Sequence, residues 1–172
     1  GVFQIVSSDH AALRYNDPTG KIALGTNTKF AAVPNGVPGV ETRLPLLFSE
    51  GVGKGRIDIN TFVAVTATNV AKMYGLYPRK GTIAVGADAD LAIWDDKRQV
   101  TIANTLLHHN CDYTPYEGIT VTGWPDTVLS RGEIVLANGK LQAQRGRGAF
   151  LSCELPKPAR PRGRPAHEAL AF

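Results

Sequence analysis

The chain opens with an apolar run, Val2-Phe3-Gln4-Ile5-Val6, that stops abruptly at Ser7-Ser8-Asp9-His10. The run is short, β-branched and aromatic and has no helical period, so it reads as a buried strand with Asp9 and His10 in the loop that follows. From Arg14 to Val40 the pattern dissolves into Asn, Asp, Pro and Gly, including Asp17-Pro18-Thr19-Gly20 and Pro34-Asn35-Gly36-Val37-Pro38-Gly39. An irregular stretch of this length inside a compact domain usually serves binding. Apolar residues then return at helical spacing. Leu44, Leu47 and Phe48 mark a helix over residues 41–49, and Phe62, Val65, Val70 and Met73 mark a second over 59–74, begun by Asp58 as N-cap and ended by Gly75. After Lys80 the texture changes. A Gly/Asp turn leads into a strand at Leu91-Ala92-Ile93-Trp94, with further strands predicted at 98–102, 118–124, 127–130 and 133–137. Asn138-Gly139 signals a hairpin before Lys140-Leu141-Gln142. A boundary near 77–81 therefore separates an α/β piece from a β-sandwich-like piece, and no internal repeat is visible.

Composition narrows the picture. With 172 residues and 43% apolar content the chain can bury one ordinary core, which excludes disorder of the whole. The net charge of +4 is concentrated in Lys157, Arg160, Arg162 and Arg164, with prolines between them. This tail carries no interleaved aromatics for base stacking, so it reads as a solvated or packing extension rather than a nucleic-acid arm. Cys111 and Cys153 are too few and too widely spaced for a metal knuckle or a disulfide framework, which points to a reducing compartment and a cytoplasmic location. The first residues hold no basic n-region, and no window approaches the roughly 20 apolar residues of a membrane span.

Few residues carry chemistry. Asp9 is either a turn aspartate or a metal ligand and general base presented at a strand's carboxyl end. His10 is adjacent, and on an extended chain its side chain points away from that of Asp9, so the two do not share a metal. Asn35, in a sharp turn, is either an ordinary turn residue or one whose exposed backbone N–H and C=O suit a planar amide or imide. His108 and His109 read as structural, and residues 113–118 as a turn that packs one unit on the other. No Walker loop, GxSxG elbow or paired CxxC occurs.

Four blocks occur in order: Val6-Ser7-Ser8-Asp9-His10; Val33-Pro34-Asn35-Gly36-Val37-Pro38-Gly39-Val40-Glu41-Thr42-Arg43; residues 78–90, from Pro78-Arg79-Lys80-Gly81 to Asp88-Ala89-Asp90; and Asp112-Tyr113-Thr114-Pro115-Tyr116-Glu117-Gly118. Together they resemble the D-hydantoinase/dihydropyrimidinase branch of the amidohydrolase superfamily over about residues 1–151. The resemblance implies an α/β chain forming the C-terminal part of a (β/α)8 metal-dependent barrel followed by part of a β-sandwich. Residues 1–77 would end the barrel, 78–153 enter the sandwich, and 154–172 form a Pro/Arg-rich tail. It implies hydrolytic opening of a cyclic amide, a hydantoin or dihydropyrimidine ring, by a hydroxide held between two divalent ions, usually zinc. Asp9 matches the aspartate that binds one metal and carries the proton from hydroxide to leaving nitrogen. Asn35 matches the asparagine whose backbone contacts the ring, in a loop shaped by Gly36 and Pro38.

The family's remaining ligands, a His-x-His pair, a carboxylated lysine and two histidines, are expected upstream of this chain, and none of His10, His108, His109 or His167 matches them. Ala11-Ala12-Leu13 replaces an expected Cys-containing tripeptide. The chain alone is thus expected to be inactive and poorly soluble. The family also implies a homotetramer, with no nucleic-acid or membrane partner. Two alternatives remain open. An allantoinase or dihydroorotase would need a basic contact for a polar or anionic substrate arm, and Arg43, expected to begin a helix and pair with Glu41 or Glu50, is the only arginine near Asn35. A non-catalytic scaffold of the same fold would have no need of Asp9.

Overall fold

A computed structural model describes residues 3–155; the basic residues 157–164 lie outside the described residues. Two helical rods pack against one face of an antiparallel sheet. Helix α1, residues 43–53, begins as α-helix over Arg43–Leu47 and continues as π-helix over Phe48–Gly53. Pro45 falls in its first turn, where a missing N–H costs no bond. The far end is closed by Gly51, whose carbonyl accepts the N–H groups of both Arg56 and Ile57. Helix α2, residues 59–73, runs as α-helix over Ile59–Val63, π-helix over Ala64–Thr68 and α-helix over Asn69–Met73. Its predicted cap is present: the Asp58 carboxylate accepts the Thr61 N–H at 2.6 Å.

The strands are β1 (Leu91–Thr101), β2 (Thr120–Ser130), β3 (Glu133–Ala137) and β4 (Lys140–Leu141), in that order across the sheet. The paired predictions at 91–94 and 98–102, and at 118–124 and 127–130, are each one long strand. Bulges explain the apparent breaks. Between Asp95 and Gln99 the register slips, with the Asp95 carboxylate accepting the N–H groups of Lys97 and Arg98. Pro125, which reads as a strand breaker, pairs with Trp94 at a second register shift. Two-residue turns link the remaining strands. Asn138-Gly139 has φ of 51° and 69°, and Arg131-Gly132 has 52° and 81°, the left-handed pairs that a type I′ hairpin requires.

Helices and sheet meet closely. Ile102 and Val121 are fully buried, and Phe48 of α1 stacks on Trp94 of β1 at 5.1 Å while Phe62 of α2 meets both rings edge-on. At Gly123, with φ of 97°, a Cβ would lie 2.3 Å from Phe48, so only glycine permits this approach.

The opening strand is a correction. Residues 3–9 form no strand, and Phe3 is 82% exposed. A strand is made by its ladder, and among the described residues none lies beside this segment. Its backbone is satisfied by helices instead: Val6 N–H donates to Val65 O, Asn69 Nδ2 to Gln4 O, and Arg43 Nη1 to Val6 O. Residues 14–40 are irregular as expected, broken only by 3-10 turns at Gly25–Asn27 and Phe30–Ala32. Among the described residues no helix is long and apolar enough to cross a membrane.

Candidate active site

Asp9 adopts φ of 46°, a left-handed conformation that Asp tolerates better than most residues. The conformation is locked by Val37, whose N–H donates to Asp9 O at 3.4 Å and whose carbonyl accepts the Ala11 N–H at 3.1 Å, around a bridge between His10 and Val37. The Asp9 side chain is exposed, and among the described residues no donor or cation contacts its carboxylate. His10 diverges from it for a different reason than strand alternation, because Asp9 is not extended. The His10 Nδ1 accepts the Val40 N–H at 3.3 Å, which spends that lone pair on holding the loop.

The Asn35 turn is seated on this segment. Gly36 has φ of 80°, and a Cβ there would lie 2.7 Å from the Ala11 Cβ and 2.9 Å from Asp9 O. Glycine is therefore required for the Asn35–Gly36 backbone to reach Asp9. Asn35 itself is exposed, while Pro38 is buried beneath the loop.

The structure adds a residue that the sequence did not advertise. Lys21, only 7% exposed, directs its ammonium at the carbonyls of Pro34, Asn35 (3.2 Å) and Gly36. In an irregular polar stretch a lysine reads as solvated, and no spacing rule connects it to a turn thirteen residues away.

The connection between β1 and β2 braces both loops from outside. The Asp112 carboxylate accepts the N–H groups of Tyr15 (2.6 Å) and Asn16 (3.2 Å), and the Tyr15 bond holds its carboxyl below the usual range. Tyr113 packs edge-on against Tyr15 at 5.6 Å. His108 Nδ1 lies 2.8 Å from Glu41 Oε1, its backbone N–H donates to Glu41 Oε2, and its Nε2 is 3.3 Å from Gly139 O. The bond to Glu41 raises the His108 pKa. His109 Nδ1 accepts the Cys111 N–H, so both histidines hold structure. The pairing expected for Arg43 is overturned. Glu41 is taken by His108 and Glu50 by Lys54 and Arg56, and Arg43, at the first turn of α1, faces Val6.

The third block, residues 78–90, is also architectural: Lys80 bridges Asp88 and Asp90, and Asp90 accepts the Arg131 N–H. Beside the Asn35 turn, Asp9 offers a carboxylate with no partner among the described residues. Among the described residues no three His, Cys, Asp or Glu side chains converge to hold an ion. Asp9 thus fits as a single ligand, and the described residues do not complete a centre.

The amidohydrolase family model matches residues 1–135. The chain is 44% identical over 151 residues to a D-hydantoinase of Ralstonia pickettii, covering 88% of this chain and 32% of that protein. Among solved structures, a D-hydantoinase superposes with a TM-score of 0.81 at 44% identity, over 88% of this chain and 32% of that one. A dihydropyrimidinase from Brevibacillus agri does so with 0.77 at 46% identity, over 83% and 30%. The chain therefore spans about a third of the length of the curated relatives it matches.

Proposed function

The chain belongs to the amidohydrolase family, and on that premise we propose that the full-length protein opens cyclic amides, hydantoin or dihydropyrimidine rings, by hydrolysis. The observation that carries the reading is the seating of the Asn35–Gly36 turn on the Asp9 backbone, which brings together two exposed residues, Asp9 with an unpartnered carboxylate and Asn35 in a turn able to face a planar amide. The names of the relatives, D-hydantoinase and dihydropyrimidinase, support the same substrate class. Residues 1–77 would close a (β/α)8 barrel, 78–153 would contribute to a β-sandwich, and the subunits would assemble as a cytoplasmic homotetramer.

In this reading Asp9 contributes one ligand to a divalent metal pair, zinc by preference, whose other ligands, a carboxylated lysine among them, belong to the part of the relatives that this chain does not span. When bound, such a metal pair would supply a water acidic enough to act as nucleophile near neutral pH. The Asp9 carboxylate takes the proton that this water loses and delivers it to the ring nitrogen. The water oxygen bonds to the ring carbonyl carbon, the C–N bond breaks, and the freed nitrogen ends with that proton. The Asn35 backbone holds the ring in register. Within the Arg43 guanidinium, Nη1 donates to Val6 O and Nε is buried away from solvent, which argues against its serving an anionic substrate arm.

The test is ring opening by the zinc-loaded full-length protein. Hydantoin and dihydrouracil should turn over, allantoin and dihydroorotate at least about 100-fold more slowly, and Asp9→Asn should cost about 1000-fold in kcat. Absence of turnover by the metal-loaded protein on all four rings would overturn the proposal. The 172-residue chain alone is expected to show no hydrolysis.

A further inference from the structure

We infer that Lys21 is a positioning residue for substrate, setting the Asn35–Gly36 backbone through three converging carbonyls. The inference rests on the cyclic-amide reading for the identity of the ligand but not for the contact itself.

Lysine is almost never fully buried unless paired, because stripping water from an ammonium is costly. Lys21 is 7% exposed, and among the described residues no carboxylate pairs with it. Its three donors are met instead by the carbonyls of three consecutive residues, Pro34, Asn35 and Gly36. A fold needing only a filled space there would be served by an apolar side chain. The lysine is also anchored from behind. Lys21 N–H donates to Arg14 O, Ile22 N–H to Tyr15 O and Gly20 N–H to Asp17 O, and Asp112 fixes Tyr15 and Asn16. The ammonium therefore sits on a closed, braced loop rather than on a mobile arm.

Peptide geometry turns this grip into a ligand site. The only cis bond among the described residues is Tyr77–Pro78, so the peptides of the 34–37 turn are trans, and in a trans peptide C=O and N–H point in opposite directions. Carbonyls drawn toward Lys21 thus leave the N–H groups of Asn35, Gly36 and Val37 aimed away from it. That of Val37 donates to Asp9 O, while those of Asn35 and Gly36 meet no acceptor among the described residues. A cation on the carbonyl side also polarises each peptide and strengthens its N–H as a donor. Two sharpened donors beside Asp9 suit a ring carbonyl, which accepts two hydrogen bonds and is held by them equally before and during the reaction.

The experiment uses the metal-loaded full-length protein with hydantoin as probe, comparing wild type with Lys21→Met. The KM of the variant should rise about tenfold or more while kcat stays within about threefold and bound metal is unchanged, and amide hydrogen exchange at Val37, whose N–H donates to Asp9 O, should accelerate. A KM equal to wild type, or a loss confined to kcat together with metal, would overturn the inference. If Lys21→Met does not fold, Lys21→Arg decides. Its planar fork keeps the charge but cannot converge on three carbonyls as an ammonium does, so KM should rise at least about threefold, and an unchanged KM would overturn the inference. Wild-type inactivity on every ring would sink the functional reading alone, with exchange at Val37 still reporting on the Lys21 contact.

Discussion

His108 carries two acceptors on one imidazole, Glu41 Oε1 on Nδ1 and Gly139 O on Nε2, and only the doubly protonated ring can donate to both. The Glu41 bond raises the folded-state pKa above the ordinary 6.5. The tie therefore contributes fully below about pH 6.5 and is lost as pH rises through the folded value. Because the ring is partly exposed, the effect is small, below about 1 kcal/mol. Thermal melts of wild type and His108→Gln between pH 6 and 9 should differ most at the acid end and converge at the alkaline end; a constant difference would refute the charged tie. At this scale the sequence was half legible. The Asp58 cap was readable because its bond is local, three residues long. Glu41–His108 and Lys21–Asn35 were not, because nothing local in a polar loop states which distant group its charge will meet.

Between elements, the decisive contact is the three-ring cluster of Phe48, Phe62 and Trp94, which joins α1, α2 and β1. Phe62 is 6% exposed, so Phe62→Ala should cost about 3 kcal/mol in stability. Combined with Trp94→Ala, a double-mutant cycle by denaturant unfolding should show coupling of about 1 kcal/mol, and strict additivity would mean that the rings do not act as a unit. Helix α2 was legible because its apolar period and its cap agree. The strands were located correctly but cut in two, since Asp95-Asp96-Lys97-Arg98 and Pro125 look like breaks when they are bulges within continuous strands. Residues 2–6 misled for the opposite reason: their composition suits a strand, but pairing is a property of neighbours, which composition does not contain.

Taken whole, the described residues bury few large side chains. Phe62, Val65, Ala71, Ile102, Cys111 and Val121, with Pro38 and Pro45, are buried, whereas Phe3, Phe30, Ile83, Val85 and Phe150 are each more than 80% exposed. A groove of about 610 Å³ between α2, the turn at 80–83 and β1 adds apolar lining from Phe62, Val70, Leu76, Tyr77 and Trp94. Among the described residues the long strand β1 also has a neighbour on one side only. Apolar patches and an unpaired edge are the two features that drive association of exposed chains. A core this small offsets little of the entropy of ordering. Purified alone at micromolar concentration, the 172-residue polypeptide should scatter light and enhance the fluorescence of a hydrophobic dye such as ANS, whereas the full-length protein under the same conditions should do neither. The Asp95–Arg98 bulge works against edge pairing by placing four charged residues at the middle of β1. Association should therefore proceed through the groove and the exposed aromatics, remain insensitive to salt, and be weakened by Ile83→Lys. A monodisperse, dye-silent chain would mean that these surfaces close on themselves in solution.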